Sequence, residues 1–222
     1  MTTEISYLAE RQSLVDASRI LFANGVMSHS GHANLSARVS EKELLLTIDG
    51  QVRDLSRDRL ALVDLSGKVI EGNLDPTNVE IITMHSEVYR TRPDVGGIIH
   101  THSPALLAFA LASRELPCHY EALLRFGQAV PVPVVPWAPR GSHQSVTGII
   151  DALGIHPDTH AVLLGNHGVL VLGDNPRQAA AFLTVLEEAA GAELLAKNIG
   201  GSAEFPAGAL EEVRASMARA RA

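Results

Sequence analysis

The chain has one cysteine, Cys118, in 222 residues. No internal disulfide can form, and the cytoplasm is the compartment that suits such a chain. It has no run of lysines and arginines, and its formal net charge is -7. Neither nucleic acid nor an anionic membrane is therefore expected as a partner. No apolar stretch reaches the ~18 residues of a transmembrane helix. The segment after Met1 begins Thr2, Thr3 and Glu4, not a basic stretch followed by an apolar one, so no signal peptide is expected. Linkers, repeats and low-complexity blocks are also missing. Hydrophobic residues make up 46% of the chain, ordinary for a globular protein and enough at this length for a sizeable core. One domain is expected over residues 1–222, with a core of about 10–198 and a C-terminal tail over 199–222.

The hydrophobic pattern supplies the elements. Ile5, Leu8, Ala9, Leu14, Ile20 and Leu21 keep helical spacing within residues 4–24, and Gly25 provides a stop. Short strands are predicted over 35–39, 43–47 and 60–64, with Asp49-Gly50 and Ser66-Gly67 as hairpin-type turns. Asp75-Pro76 reads as the N-cap and first turn of a helix that runs to about Arg92. A strand follows over 95–102 and a helix over 104–113, with Ser103 as N-cap. A short strand is expected over 131–135 and a helix over 142–153. Residues 161–172 read as a hairpin around Asn166-His167-Gly168, and Asn175-Pro176 opens a long helix to about Asn198. The Ala- and Arg-rich end reads as a loosely held helix. Strands grouped with helices between them fit one α/β sandwich.

Three histidines stand out for chemistry. His100 and His102 are two apart at the end of an apolar strand, and residues i and i+2 of a strand point to one face. Both imidazoles can thus converge on one ion. His167 lies in a second strand-like run broken by Asn166 and Gly168. Three neutral imidazoles with a fourth position open make a catalytic rather than a closed structural metal site.

Around these residues the chain resembles the class II aldolase/adducin family, with the motifs in the family's order over about residues 10–198. Ser30-Gly31-His32-Ala33-Asn34-Leu35-Ser36-Ala37-Arg38 is similar to the family's glycine-rich turn. The segment from Val63 to Gly72 is similar to the sheet segment before its acidic helix. Met84-His85 through Arg92-Pro93-Asp94 leads into the H-x-H strand, and Asn166-His167-Gly168 matches the family's N-H-G. The resemblance implies a three-layer α/β/α sandwich with a mainly antiparallel central sheet. It implies that His100, His102 and His167 bind one divalent ion per subunit, usually Zn2+, with Mn2+, Co2+ or Mg2+ as alternatives. It also implies a homotetramer with active sites between subunits. Tyr120, in Leu116-Pro117-Cys118-His119-Tyr120, corresponds to the tyrosine that an adjacent subunit supplies as proton donor.

The departures from that family are informative too. Its phosphosugar members hold phosphate with a P-S-S-E segment and a P-x-G turn. Here those stretches read Pro76-Thr77-Asn78-Val79-Glu80 and Ile48-Asp49-Gly50. A negative Asp49 disfavours a phosphorylated substrate, although Asn34, Thr77 and Asn78 can still donate hydrogen bonds. From Pro76 to His85 the chain is two residues longer than the family's usual spacing. Glu80 is the nearest match to the family's catalytic acid, in a shifted register. Arg140, in a proline-bounded turn, can hold a carboxylate through paired donors. Arg125 and Glu121 are further candidates, whereas His29, His32 and His119 read as turn or surface residues. Together these residues suggest a lyase that makes or breaks an aldol bond in a small hydroxy-carbonyl compound. It would act through an enediolate or enolate, with Glu80 as base at carbon and Tyr120 serving the aldehyde oxygen. Decarboxylation of a keto or hydroxy acid, sugar epimerisation and a non-catalytic adducin-like scaffold are the alternatives.

Overall fold

In the computed structural model, which describes residues 6–220, eight strands form one sheet. They are β1 (Ala33–Arg38), β2 (Glu43–Thr47), β3 (Leu60–Asp64), β4 (Val69–Glu71), β5 (Gly97–Thr101), β6 (Val134–Val135), β7 (Ala161–Leu164) and β8 (Gly168–Gly173). Their order across the sheet is β4-β3-β2-β1-β5-β8-β7-β6. Every neighbouring pair is antiparallel except β6 and β7. The helices are α1 (Leu8–Ala23), α2 (Pro76–Thr91), α3 (Pro104–Leu111), α4 (Glu121–Leu124), α5 (His143–Ile155), α6 (Pro176–Ala196) and α7 (Ala209–Ala220).

The strands are apolar on both faces, as a sheet covered on both sides must be. Alternation sorts their side chains into two cores. Leu35, Leu45, Ile99, Val169 and Val171 pack with α1, α3 and α6. Their neighbours Leu44, Leu46, Ile98, Leu170 and Leu172 pack with α2 and α5. The result is the expected three-layer α/β/α sandwich, with a largely antiparallel sheet in the middle.

Helix starts follow the local chemistry. The Asp75 carboxylate accepts from Thr77 N at 2.8 Å, and Pro76 opens α2. The Asn175 side chain accepts from Gln178 N at 3.0 Å at the start of α6, and Ser142 Oγ accepts from Ser145 N at 3.1 Å at the start of α5. Ser103 takes the N-cap position of α3 but makes no side-chain cap. Instead the Glu187 carboxylate of α6 accepts from Ala105 N at 2.7 Å and Leu106 N at 3.0 Å. A buried acceptor on a neighbouring helix has thus displaced the local one.

Some expectations need correction. Asp49-Gly50 does not close a tight hairpin, because residues 48–59 join β2 to β3. Gly50 O instead accepts from Ala33 N at 3.1 Å, and Gln51 bridges His32, so this segment pairs with the entry to β1 first. The Ser66-Gly67 turn does lead into a strand, β4, which the pattern alone left unassigned, as it did α4. Glu4 and Ile5, the first positions of the predicted N-terminal helix, lie outside the described residues. No described helix is long and apolar enough to cross a membrane.

Candidate metal centre

His100 lies on the α2/α5 face of β5, opposite Asn34 of β1 and Leu170 of β8. His102 follows one residue beyond the end of the strand. His167 arrives from the turn between β7 and β8, which requires its two neighbours. Asn166 adopts φ 55, a left-handed conformation that asparagine tolerates better than most residues. A Cβ on Gly168 would sit 2.4 Å from Thr101 O and 2.8 Å from His102 Cδ2. Only a glycine lets β8 start this close to the end of β5. The N-H-G motif therefore has a steric reason beside its chemical one.

One nitrogen from each of His100, His102 and His167 lies within 4.8 Å of the other two. His100 is buried, and its Nδ1–H donates to Val169 O at 3.0 Å. A carbonyl can only accept, so the Nε2 lone pair is left for an ion. All three imidazoles are held neutral. Burial is the largest cause in each, reinforced for His100 by His167 and His102, and for His167 by Arg140 and His32. For His102, burial and then His167 push the pKa down to about 4. Neutral, converging and partly oriented imidazoles fit a divalent ion of the zinc type.

The cleft around them has four further polar walls. The His32 ring stacks on His102 with centroids 5.8 Å apart. It lies flat against Gly50, where a Cβ would come within 1.9 Å of it. His32 thus lines the cleft, although its polar, glycine-rich surroundings read as an ordinary turn. Asn34 is buried and also lines the cleft. Its Oδ1 lies 2.7 Å from His85 Nε2, His85 Nδ1 lies 2.6 Å from Ser36 Oγ, and Ser36 Oγ lies 2.9 Å from Tyr89 Oη. His85 is fully buried and its pKa falls to about 3, so it is neutral and carries one N–H. The proton order that satisfies the chain runs from Tyr89 to Ser36 to His85, and from His85 Nε2–H to Asn34. The Asn34 Oδ1 is thereby engaged by His85, and its NH2 is left as the donor toward the cleft. Sequence reading did not single out this network, yet His85 and Tyr89 sit four apart on one face of α2, which was a usable signal.

Glu80 and Arg140 close the opposite side. Arg140 Nε meets Glu80 Oε1 at 2.7 Å, and Nη2 donates to Thr77 O at 2.6 Å. Both side chains line the cleft and are about 40% exposed. The guanidinium is near enough to depress the pKa of His32, His102 and His167. Gly141, at φ +71, lets the loop press on Glu80, since a Cβ there would lie 2.5 Å from Glu80 Oε2.

The remaining candidates lie elsewhere. Thr77 spends its hydroxyl and N–H on Asp75. Asn78 is buried, with Nδ2 donating to Thr47 O at 3.0 Å and Oδ1 without a partner. Neither lines the cleft. Asp49 is ion-paired to Arg59. Tyr120 is exposed at the N-cap of α4 and lines a separate hollow with His119 and Glu193, so one chain alone does not bring it to the histidines. Arg125 pairs with Glu121 at 2.8 Å on the surface. His29 is exposed, and His119 contacts Ser202 at 2.8 Å.

Comparison with known proteins identifies relatives of the chain. The class II aldolase and adducin N-terminal domain matches residues 12–194. The chain is 32% identical over 198 residues to 3-oxo-tetronate 4-phosphate decarboxylase of Pectobacterium atrosepticum, covering 85% of this chain and 86% of that protein. It is 28% identical over 190 residues to methylthioribulose-1-phosphate dehydratase of Pseudomonas syringae, covering 79% and 91%. Among solved structures, an L-fuculose 1-phosphate aldolase superposes with a TM-score of 0.82 at 24% identity, covering 96% of this chain and 98% of that one.

Proposed function

Because the chain belongs to the class II aldolase and adducin family, we propose that it is a metal-dependent lyase that cleaves or forms an aldol bond in a small, non-phosphorylated hydroxy-carbonyl compound. The observation that carries the proposal is the convergence of three neutral imidazoles on one cleft wall, facing Glu80 and Arg140. His100, His102 and His167 would hold the ion, for which zinc is our choice on the all-nitrogen donor set. When bound, such an ion supplies Lewis-acid polarisation of a substrate carbonyl.

The chain's own groups do the rest. Glu80 takes the proton from the carbon beside the carbonyl and returns it in the reverse direction. The Asn34 amide donates to a substrate oxygen, held ready by His85. Arg140 receives a substrate carboxylate through its paired donors. Tyr120 serves the aldehyde oxygen from a neighbouring subunit of a homotetramer. In keeping with the free Cys118, we place the protein in the cytoplasm. The absence of phosphate in the substrate rests on Thr77 and Asn78, whose hydrogen bonds are spent away from the cleft.

Decarboxylation of a keto acid is the second reading. Arg140 favours it, and one relative is by name a decarboxylase of a 3-oxo acid phosphate. The deciding test is deuterium exchange at the carbon beside the carbonyl, together with kcat/KM over aldehyde and keto-acid pairs and their phosphorylated counterparts. The aldol reading expects exchange that Glu80→Gln suppresses about 10²–10⁴-fold. Carbon dioxide release without exchange would favour decarboxylation, and a clear preference for phosphorylated ketoses would overturn the choice of substrate class.

A further inference from the structure

Building on that reading, we propose that Arg140 is a selector for carboxylate-bearing hydroxy-carbonyl substrates and that Glu80 is its resting occupant, displaced when substrate binds. The geometry points to an exchange of partners. In the free protein the Glu80 carboxylate occupies the guanidinium through Nε at 2.7 Å. Nη2 is turned to a backbone carbonyl, Thr77 O, a partner fixed in the first turn of α2. Glu80 is therefore the movable partner. An incoming carboxylate that lies along the guanidinium and takes two N–H groups in line makes a better match than the single close contact from Glu80.

Two observations place this exchange beside the chemistry. Both side chains line the histidine cleft. Gly141 removes the Cβ that would otherwise keep the loop off Glu80, so the resting contact is built into the backbone. The pair is about 40% exposed on each side, and exposed pairs are weak. An incoming carboxylate can therefore break it at little cost. The freed Glu80 carboxylate is then available as base only when a substrate of the right charge is seated. A neutral hydroxy-ketone leaves the resting pair intact.

Isothermal titration of the zinc-loaded protein tests this without relying on turnover. The probes are hydroxypyruvate, which carries a carboxylate beside its hydroxy-carbonyl group, and dihydroxyacetone, which does not. Glu80→Gln should tighten hydroxypyruvate about two- to fivefold, the range an exposed ion pair allows. Arg140→Met should weaken it about tenfold or more. Neither change should alter dihydroxyacetone by more than about twofold, which also shows that the variants keep their fold and ion. In the Arg140→Met background, Glu80→Gln should give no gain. A gain of equal size there would mean plain charge repulsion and would overturn the exchange, as would unchanged or weaker hydroxypyruvate binding in Glu80→Gln. If neither probe binds the zinc-loaded wild type, the lyase reading fails first and the selector falls with it.

Discussion

His85 is fully buried, and its pKa is depressed from 6.5 to about 3 by burial. The unfolded chain therefore binds a proton at this residue before the folded chain does. His85 is compatible with full stability above its unfolded pKa, and stability is lost as pH falls below 6.5 toward the folded value. Between about pH 7 and about pH 5.5, above the carboxylate range, that loss amounts to about 1 kcal/mol. Urea unfolding at the two pH values should show it, and His85→Gln should remove that share of the slope. An unchanged slope would mean that the residue is not neutral in the fold. Gly168 makes a second prediction at this scale. Gly168→Ala places a methyl group against Thr101 O and His102, and should cost about 1–3 kcal/mol of stability and about tenfold in zinc affinity, read by urea midpoint and zinc titration. The convergence of the three histidines was legible in the sequence because strand periodicity and motif spacing bring them to one place. His32 was not legible as a cleft residue. Its position depends on Gly50, 18 positions away in the chain, and no local pattern reports that contact.

At the scale of the element, a cap was read well where the capping group is local. Asp75 caps α2 as read, and Asn175 and Ser142, read only as helix starts, cap α6 and α5. Ser103 was read as a cap and is not one, since Glu187 caps α3 from α6, and a partner 82 positions away leaves no local signature. Glu187 is partly buried, which raises its pKa, while Ala105 N and Leu106 N oppose the rise. Glu187→Leu should leave those two N–H groups without partners and cost about 1–3 kcal/mol. Because α3 starts two residues after His102, zinc affinity should fall alongside stability. Glu187→Gln, which keeps one acceptor oxygen, should lose less. Equal stability for Glu187→Leu and wild type would show that Ser103 or water serves the helix instead. The register of α2 was legible only in part. Its start and end were placed to within a residue, but that Glu80 meets Arg140 depends on the loop before α5, whose path no α2 pattern encodes.

For the molecule as a whole, the α/β class was read from strands grouped with helices between them, and the three layers from the resemblance. The physical reason is that both faces of the strands are apolar, which demands helices above and below. Assembly was legible only by resemblance. Tyr120 lies away from the cleft of its own chain, so the proposed shared site makes a clear demand on assembly. Glu80→Gln and Tyr120→Phe proteins, each inactive, should regain activity when their subunits are exchanged, since some mixed sites then carry both native residues. No recovery despite exchange verified by mass would remove Tyr120 from the mechanism. Beneath every functional claim lies the ion. Elemental analysis of purified wild type and His102→Ala, with folding checked by circular dichroism, tests it most directly. About one divalent ion per chain in the wild type and little in the variant is the predicted result, because two imidazoles do not replace three. Equal metal content in the two proteins would contradict the account.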